Sequence, residues 1–438
     1  MSIDFYNLIY PFSMNKFERI KTILQSLVIF IVIILLSNSC NRAEKYDLLV
    51  EGIHYKDLAP VQIGIKDGKI AHIKKLKNLT SNIDTIYIGP GLIDNQVNGY
   101  MGYSFVDIGR ELTTDGIKTL TEGFWKVGVT TFLPTLTTND HNIFIKNFRL
   151  LAQAKEDPET RGSIAGFHLE GPYISPLDGY RGAHPLIHVR KPDWNEFMEL
   201  YNASEKGILQ VSLAPELDGS LEFISKCEDL GIVVGLAHHN ASVAQITEAI
   251  DKGADIATHL GNAIANYIHR WNNPLWPQLA NDRLKISMIC DGFHLTPEQI
   301  RVYFKTKGPD NIVVTSDMSP FGGLTPGFYL NAIGDTLELK KEGVVVYPAQ
   351  NSLSGSASPL SKMVGFVMKV TGCDLGTAIQ MSSFNPARLY ELNDRGELKP
   401  GLRADIILFT LKDNNMHIVK TLVKGDVVYD AQKGNNDI

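Results

Sequence analysis

Gly166-Phe167-His168-Leu169-Glu170-Gly171-Pro172 reads as the end of a buried strand that delivers a carboxylate into a Gly-Pro turn. A carboxylate at the C-terminal tip of a strand is where α/β barrels keep their chemistry. Three later segments have the same form: Val233-Val234-Gly235-Leu236-Ala237-His238, Ile256-Ala257-Thr258-His259 and Ile312-Val313-Val314-Thr315-Ser316-Asp317. Each is a short apolar run ending on a residue able to bind metal or carry a proton. Four such runs in chain order, with helical segments between them, point to one active site.

Outward from these runs, candidate strands fall at 91–94, 130–134, 163–170, 208–215, 232–238, 255–259, 285–289 and 312–317. Residues 114–126 and 244–252 have helical spacing between such strands. Eight strands with intervening helices predict an α/β fold, a (β/α)8 TIM-type barrel. The alternative is a doubly wound open sheet, but no Gly-x-Gly-x-x-Gly follows the first strand. Both flanks are β-rich. Val61 to Ile65 alternates up to the turn Lys66-Asp67-Gly68-Lys69, and Ile70 to Ile73 resumes the pattern. Near the other end, 404–409 and 418–423 are strand-like, and the turn Lys424-Gly425-Asp426 leads into Val427-Val428-Tyr429. The two ends are expected to join in one small β-sandwich. This divides the chain into a leader at 1–39, the first part of the sandwich at 40–90, a barrel at 91–396, and the rest of the sandwich with a polar tail at 397–438.

A chain of 438 residues can bury a barrel core and a smaller domain besides. Its net charge of −6 and lack of a basic stripe give no reason to expect nucleic-acid binding. Leu24 to Leu36 is strongly apolar and follows Lys16, Arg19 and Lys21. A positive region, a short apolar run and small residues before a cysteine describe an export signal. Leu36-Ser37-Asn38-Ser39-Cys40 resembles a bacterial lipobox, which implies acylation of Cys40 and a cell-envelope location. Met14 would give the signal a more usual length, and a plain membrane-anchoring helix is the alternative. Cys227, Cys290 and Cys373 form no CxxC pair and read as core thiols.

Glu170, His238 and His259 offer a carboxylate and two imidazoles at strand tips. That donor set suits one divalent ion, zinc above all, with a position left for water. Asp317 at the last strand tip is placed to carry a proton to a leaving nitrogen. His294, in Asp291-Gly292-Phe293-His294, is placed to stabilise an oxyanion or hold substrate. Taken singly, each has a plain structural reading: a hydrogen-bonded strand-end histidine, a turn cap, a helix cap. His239 points away from His238 along a continuing strand and reads as supporting or surface.

These residues together resemble the N-acetylglucosamine-6-phosphate deacetylase family of metal-dependent amidohydrolases. The resemblance runs from about Tyr46 to Tyr429 through Pro90-Gly91-Leu92-Ile93-Asp94, His168-Leu169-Glu170-Gly171-Pro172, Arg181-Gly182-Ala183-His184, Ala237-His238-His239-Asn240 and Thr258-His259-Leu260-Gly261-Asn262-Ala263. It continues in Asp291-Gly292-Phe293-His294 and Leu353-Ser354-Gly355-Ser356. The resemblance implies metal ligation by Glu170, His238 and His259 and catalysis by Asp317. It implies that Asn262, Ala263, Arg270 and His294 hold an amino-sugar phosphate, and that Ala183, His184, Leu353, Ser354 and Gly355 line the sugar. Where many relatives have His-x-His on the first strand, this chain has Gln96-Val97-Asn98, which fits a single-metal site because amides are poor zinc ligands.

The chain departs from the family at Gly261, where an aromatic is usual, and that change is expected to open space. Trp271-Asn272-Asn273-Pro274-Leu275-Trp276 replaces a Glu-Pro-Gly run, and in Val314-Thr315-Ser316-Asp317-Met318 one residue is inserted before Asp317 or deleted after it. The implied reaction is removal of acetyl from N-acetylglucosamine 6-phosphate. An exported enzyme for an unphosphorylated amino sugar or another N-acyl compound is the alternative, and a non-catalytic surface sugar-binding protein is a third. The partners expected are the sugar, a membrane reached only through a lipid anchor, and a second copy in a homodimer.

Overall fold

Short runs of β-branched and apolar residues, each too short for a helix core, alternate with amphipathic helices and form the centre of the protein. In a computed structural model, Lys16, Ile20, Lys21 and residues 46–79, 86–107, 110–330 and 334–433 are described. The expected leader, including Cys40, lies outside the described residues apart from those first three. No helix among the described residues is long and apolar enough to cross a membrane. The residues from Asp47 onward form one compact unit.

The central strands are β1 (Leu92–Val97), β2 (Val129–Thr137), β3 (Phe167–Glu170), β4 (Ile208–Leu213), β5 (Val233–Leu236), β6 (Ala254–Ala257), β7 (Lys285–Ile289) and β8 (Ile312–Thr315). They hydrogen-bond in chain order, every pair parallel. The sheet closes rather than staying open. Val97 pairs in parallel with Met318, just beyond β8, and the Asn98 N–H donates to the Met318 carbonyl at 2.8 Å. The helices at Thr114–Lys126 and Val243–Asp251 fall where the spacing predicts them. Thr113 caps the first, and a Ser242/Gln245 capping box starts the second.

The barrel interior is partly polar. His168 Nε2 lies 2.7 Å from Ser212 Oγ, which lies 2.9 Å from Thr258 Oγ1. Below them Tyr390 donates to Gln210 Oε1 and receives from Asn95 Nδ2 at 2.9 Å. These bonds replace the water that the buried groups lose on folding, except at Asn95 Oδ1, which has no hydrogen-bond partner. Gly235 leaves room for this column: a Cβ there would stand 2.3 Å from Thr258 Oγ1 and 2.5 Å from Ser212 Oγ.

Both chain ends enter one seven-stranded sheet. Tyr87–Pro90 pairs with Leu48–His54 on one side and Ile406–Lys412 on the other. The sheet folds over a core of Val61, Ile63, Ile65, Ile70, Ile406 and Leu422, which brings the turn at Gly68 against Lys424. A four-stranded antiparallel insert, Gly327–Leu330, Thr336–Leu339, Val344–Tyr347 and Ser352–Ser356, follows β8. The sequence reading did not foresee it. Cys227 and Cys290 are buried as expected; Cys373 is only half-buried.

Candidate active site

The expected strands at β5, β6 and β8 end short of their functional residues. His238, His259 and Asp317 have φ of 50°, 34° and 47°, in the left-handed region. Each has turned out of the ladder at the strand tip. Non-glycine residues avoid this conformation, and where it occurs it clusters at functional sites. The turned backbone is held by neighbours: the His259 N–H donates to Ser287 Oγ at 2.7 Å, and the Ser356 N–H donates to the Asp317 carbonyl at 2.9 Å.

On β3, alternation sends Phe167 and Leu169 into the apolar core, and His168 and Glu170 to the other face. Glu170 is 2 % exposed. Its Oε1 lies 2.8 Å from His259 Nε2 and 3.5 Å from His238 Nε2. Burial raises its pKa, but hydrogen bonds and charge from the two imidazoles outweigh burial and hold the carboxyl well below the usual range. For His259 the balance runs the other way: burial lowers its pKa, and the bond to Glu170 wins and raises it. His238 Nδ1 lies 3.1 Å from the Tyr180 carbonyl. That carbonyl takes the Nδ1 proton and leaves Nε2 free to face Glu170.

Asp317 is drawn into the same site through the first strand. Gln96 Nε2 donates to Glu170 Oε1 at 2.8 Å and to Asp317 Oδ1 at 3.0 Å, and Asn98 Nδ2 donates to Asp317 Oδ1 at 2.7 Å. Burial, and then the charge of Glu170, raise the Asp317 pKa. A carboxyl raised in this way is suited to trading protons near neutral pH.

His294 Nδ1 is fixed at 2.7 Å from Asp291 Oδ2, so only Nε2 is left to face a ligand. His184 is buried beside His238, with ring centroids 4.3 Å apart and Nδ1 2.7 Å from Thr138 Oγ1. Asn262 binds back to the His259 carbonyl, and Ala263 has φ of 51°. Ser352–Ser356 brings Gly355 against Asp317: a Cβ there would lie 3.1 Å from the Asp317 carbonyl oxygen. Leu353 and Ser354 lie on the same strand. Ala183 is exposed on the loop before His184. Arg270 is exposed and stacks on Trp271, its guanidinium carbon 4.4 Å from the ring centre, while its carbonyl accepts from Trp276 Nε1 at 3.2 Å.

The amidohydrolase family profile matches residues 87–428. N-acetylglucosamine-6-phosphate deacetylase of Bos taurus is 32 % identical, over 79 % of this chain and 84 % of that protein. The chain belongs to the amidohydrolase family. N-acetylgalactosamine-6-phosphate deacetylase of Escherichia coli O157:H7 is 28 % identical, over 84 % of this chain and 94 % of that one. Among solved structures, a mutant N-acetyl-D-glucosamine-6-phosphate deacetylase of Mycobacterium smegmatis, in complex with N-acetyl-D-glucosamine-6-phosphate, superposes with a TM-score of 0.78 at 25 % identity. That match covers 88 % of this chain and all of the other.

This amidohydrolase fits the metal its family uses. A buried carboxylate touching two imidazoles is a donor set for a divalent ion. The donors that lie mutually within 4.8 Å are Glu170, His184 and His238, and His259 joins them through Glu170. His184, implied by the resemblance to line the sugar, therefore also stands at the metal's edge. Burial, and then His238, push its pKa down to about 3, so it stays neutral. Gln96 carries its amide nitrogen between Glu170 and Asp317, and this donor takes the bridging place between the two carboxylates.

Two sequence expectations are corrected. Gly261 opens no space. Its φ is 89°, and a Cβ there would meet Tyr303 Oη at 2.6 Å and Leu295 Cδ2 at 2.9 Å, so neighbouring side chains fill the room an aromatic would need. Of the two readings of His239, supporting or surface, only the first stands: it is 5 % exposed, and burial pushes its pKa down to about 4. Tyr180 and Thr138, which orient His238 and His184, carried no sequence signal, because one acts through its carbonyl and the other is an ordinary strand-end threonine.

Proposed function

We propose that this amidohydrolase removes the acetyl group from N-acetylglucosamine 6-phosphate, giving the free amine and acetate. The observation that carries the reading is the meeting of Glu170, His238, His259 and Asp317 around one buried point. The resemblance to deacetylases of both N-acetylated hexosamine 6-phosphates supports the substrate class. A divalent ion, zinc by its donor set, would be held by Glu170, His238 and His259 and would supply Lewis acidity toward the acetamide carbonyl. Asp317 takes the proton of the attacking water and delivers it to the leaving nitrogen. Its raised pKa narrows the gap between those two proton positions. Asn98 and Gln96 donate to Asp317 Oδ1, which leaves Oδ2 to work. His294, held through Nδ1, presents Nε2 to the sugar or its phosphate.

A second reading keeps the reaction and removes the phosphate. The stacking of Arg270 on Trp271 covers only the guanidinium face and leaves its N–H edge for a phosphate, so it does not decide between the readings; the second reading has the Trp271–Trp276 departure from the family in its favour. It also accords with export and acylation at Cys40, which we propose from the lipobox pattern.

Acetate release from N-acetylglucosamine, N-acetylgalactosamine and their 6-phosphates tests both readings. Faster turnover of a 6-phosphate, lost selectively in Arg270→Ala, is the expected result. Turnover of the free sugars alone moves the assignment to the second reading, and no acetate from any of the four sinks the deacetylase. Asp317→Asn should lose roughly 10²–10⁴-fold in turnover while keeping its metal.

A further inference from the structure

Asp94 is a carboxylate in a strand buried on both faces, and the chemistry above makes no use of it. It is 1 % exposed. Its oxygens accept from the Ser316 N–H at 3.1 Å, from Thr315 Oγ1 at 3.2 Å and from the Ser316 hydroxyl. Ser316 Oγ accepts in turn from the Met318 N–H at 3.1 Å. Ser316 stands directly before Asp317. Its side chain points back across the barrel seam to Asp94, while the next residue turns left-handed and enters the site. The seam is where β1 meets β8. Along it Asp94, Gln96 and Asn98 stand two apart on one face and bond in order to Ser316, Asp317 and Asp317.

We propose that Asp94 and Ser316 form a positioning pair for Asp317. The pair anchors the peptide on each side of Asp317 so that the strained left-handed turn holds its carboxylate against Gln96 and Asn98. Ser316 thereby acts as a clamp, and Asp317 keeps the place of the proton carrier. A local clamp suits this position because a left-handed aspartate relaxes unless its neighbours over-determine it. This inference rests on the reading of Asp317 as the proton carrier.

The test is kcat and KM for acetate release, together with metal content, from N-acetylglucosamine 6-phosphate or N-acetylglucosamine, whichever turns over faster. The proteins are wild type, Ser316→Ala, Asp94→Asn, their double variant, and both changes in Asp317→Asn. Ser316→Ala is expected to lower kcat about tenfold and Asp94→Asn roughly 10- to 100-fold, since small misplacements of a reacting group cost that much. KM and metal content should hold. The double variant should be no worse than Asp94→Asn, and neither change should further lower the residual turnover of Asp317→Asn. Effects that multiply, or that persist in full without the Asp317 carboxylate, would mean the pair only braces the barrel. Wild-type kcat in Ser316→Ala and Asp94→Asn, with Asp317→Asn inactive, overturns the pair alone. Normal turnover in Asp317→Asn overturns the base assignment instead. Ser316→Ala carries the test if Asp94→Asn does not fold.

Discussion

At the residue scale the site is built on opposed electrostatic pressures in one dry place. Burial drives every carboxyl there toward neutrality, and partners decide which one resists. Glu170 has two imidazoles and stays ionised; Asp317 has amide donors and is raised. Asp94 has hydroxyl and N–H donors, and burial still pushes it up to about 6. That shift has a stability consequence. A carboxyl whose folded pKa lies above its unfolded value favours the fold below the unfolded pKa, and the advantage is lost as pH rises through the folded one. The window here runs from about pH 4 to about pH 6. Asp94→Asn removes the ionisation, so its unfolding free energy relative to wild type should move in its favour by about 1.4 kcal/mol, one pKa unit, between pH 5 and pH 8. Urea unfolding at the two pH values checks it, and an unchanged difference would show that Asp94 is not raised. The sequence made Asp94 visible only as one letter in Pro90-Gly91-Leu92-Ile93-Asp94; a charge in a strand with no exposed residue was the signal available.

At the element scale, strand tips carry the chemistry because the parallel barrel ends all its strands on one rim. The sequence placed those tips well, since apolar runs of strand length ending on His or Asp are legible. It placed their ends too late at β5, β6 and β8, because the left-handed turn of His238, His259 and Asp317 depends on partners from other strands. The same holds for the segment after β6. Gly261 is required by its own backbone and by Tyr303 and Leu295. Gly261→Ala is expected to cost about 1–3 kcal/mol in thermal or urea unfolding from the left-handed penalty and the clash together. Adding Tyr303→Phe should recover part of that loss by removing the hydroxyl, but not the backbone share. No loss in Gly261→Ala would mean the segment relaxes freely.

At the scale of the whole molecule, one barrel seam joins the first strand to the last, and Gln96 on it reaches the cluster of residues able to hold a metal. With Gln96 in the bridging place, purified protein should hold one divalent ion per chain, and His259→Ala should hold markedly less. Two ions at full occupancy, read by elemental analysis, would remove Gln96 from that role. Export is the other molecular prediction. Cys40→Ser should shift the protein from the membrane fraction to the soluble one, because stable anchoring of such a chain needs several acyl groups. A wild-type protein found soluble with residues 1–39 intact would end the lipoprotein reading.

The alternation of short apolar runs with amphipathic helices determined the barrel. The hairpin turns at Asp67-Gly68 and Gly425-Asp426 determined β-rich ends, and the motif residues determined the kind of chemistry. These are local patterns, written in neighbouring residues. The four-stranded insert after β8 was not legible, because its strands are short and interrupted and pair mainly with one another, touching the barrel only where Ser356 meets Met318. Tertiary structure alone decided that Gln96 reaches Asp317, that Tyr180 orients His238, and that His184 stands beside the metal donors. The first two of those contacts join residues 221 and 58 positions apart, and no local pattern encodes a partner that arrives only when the barrel closes.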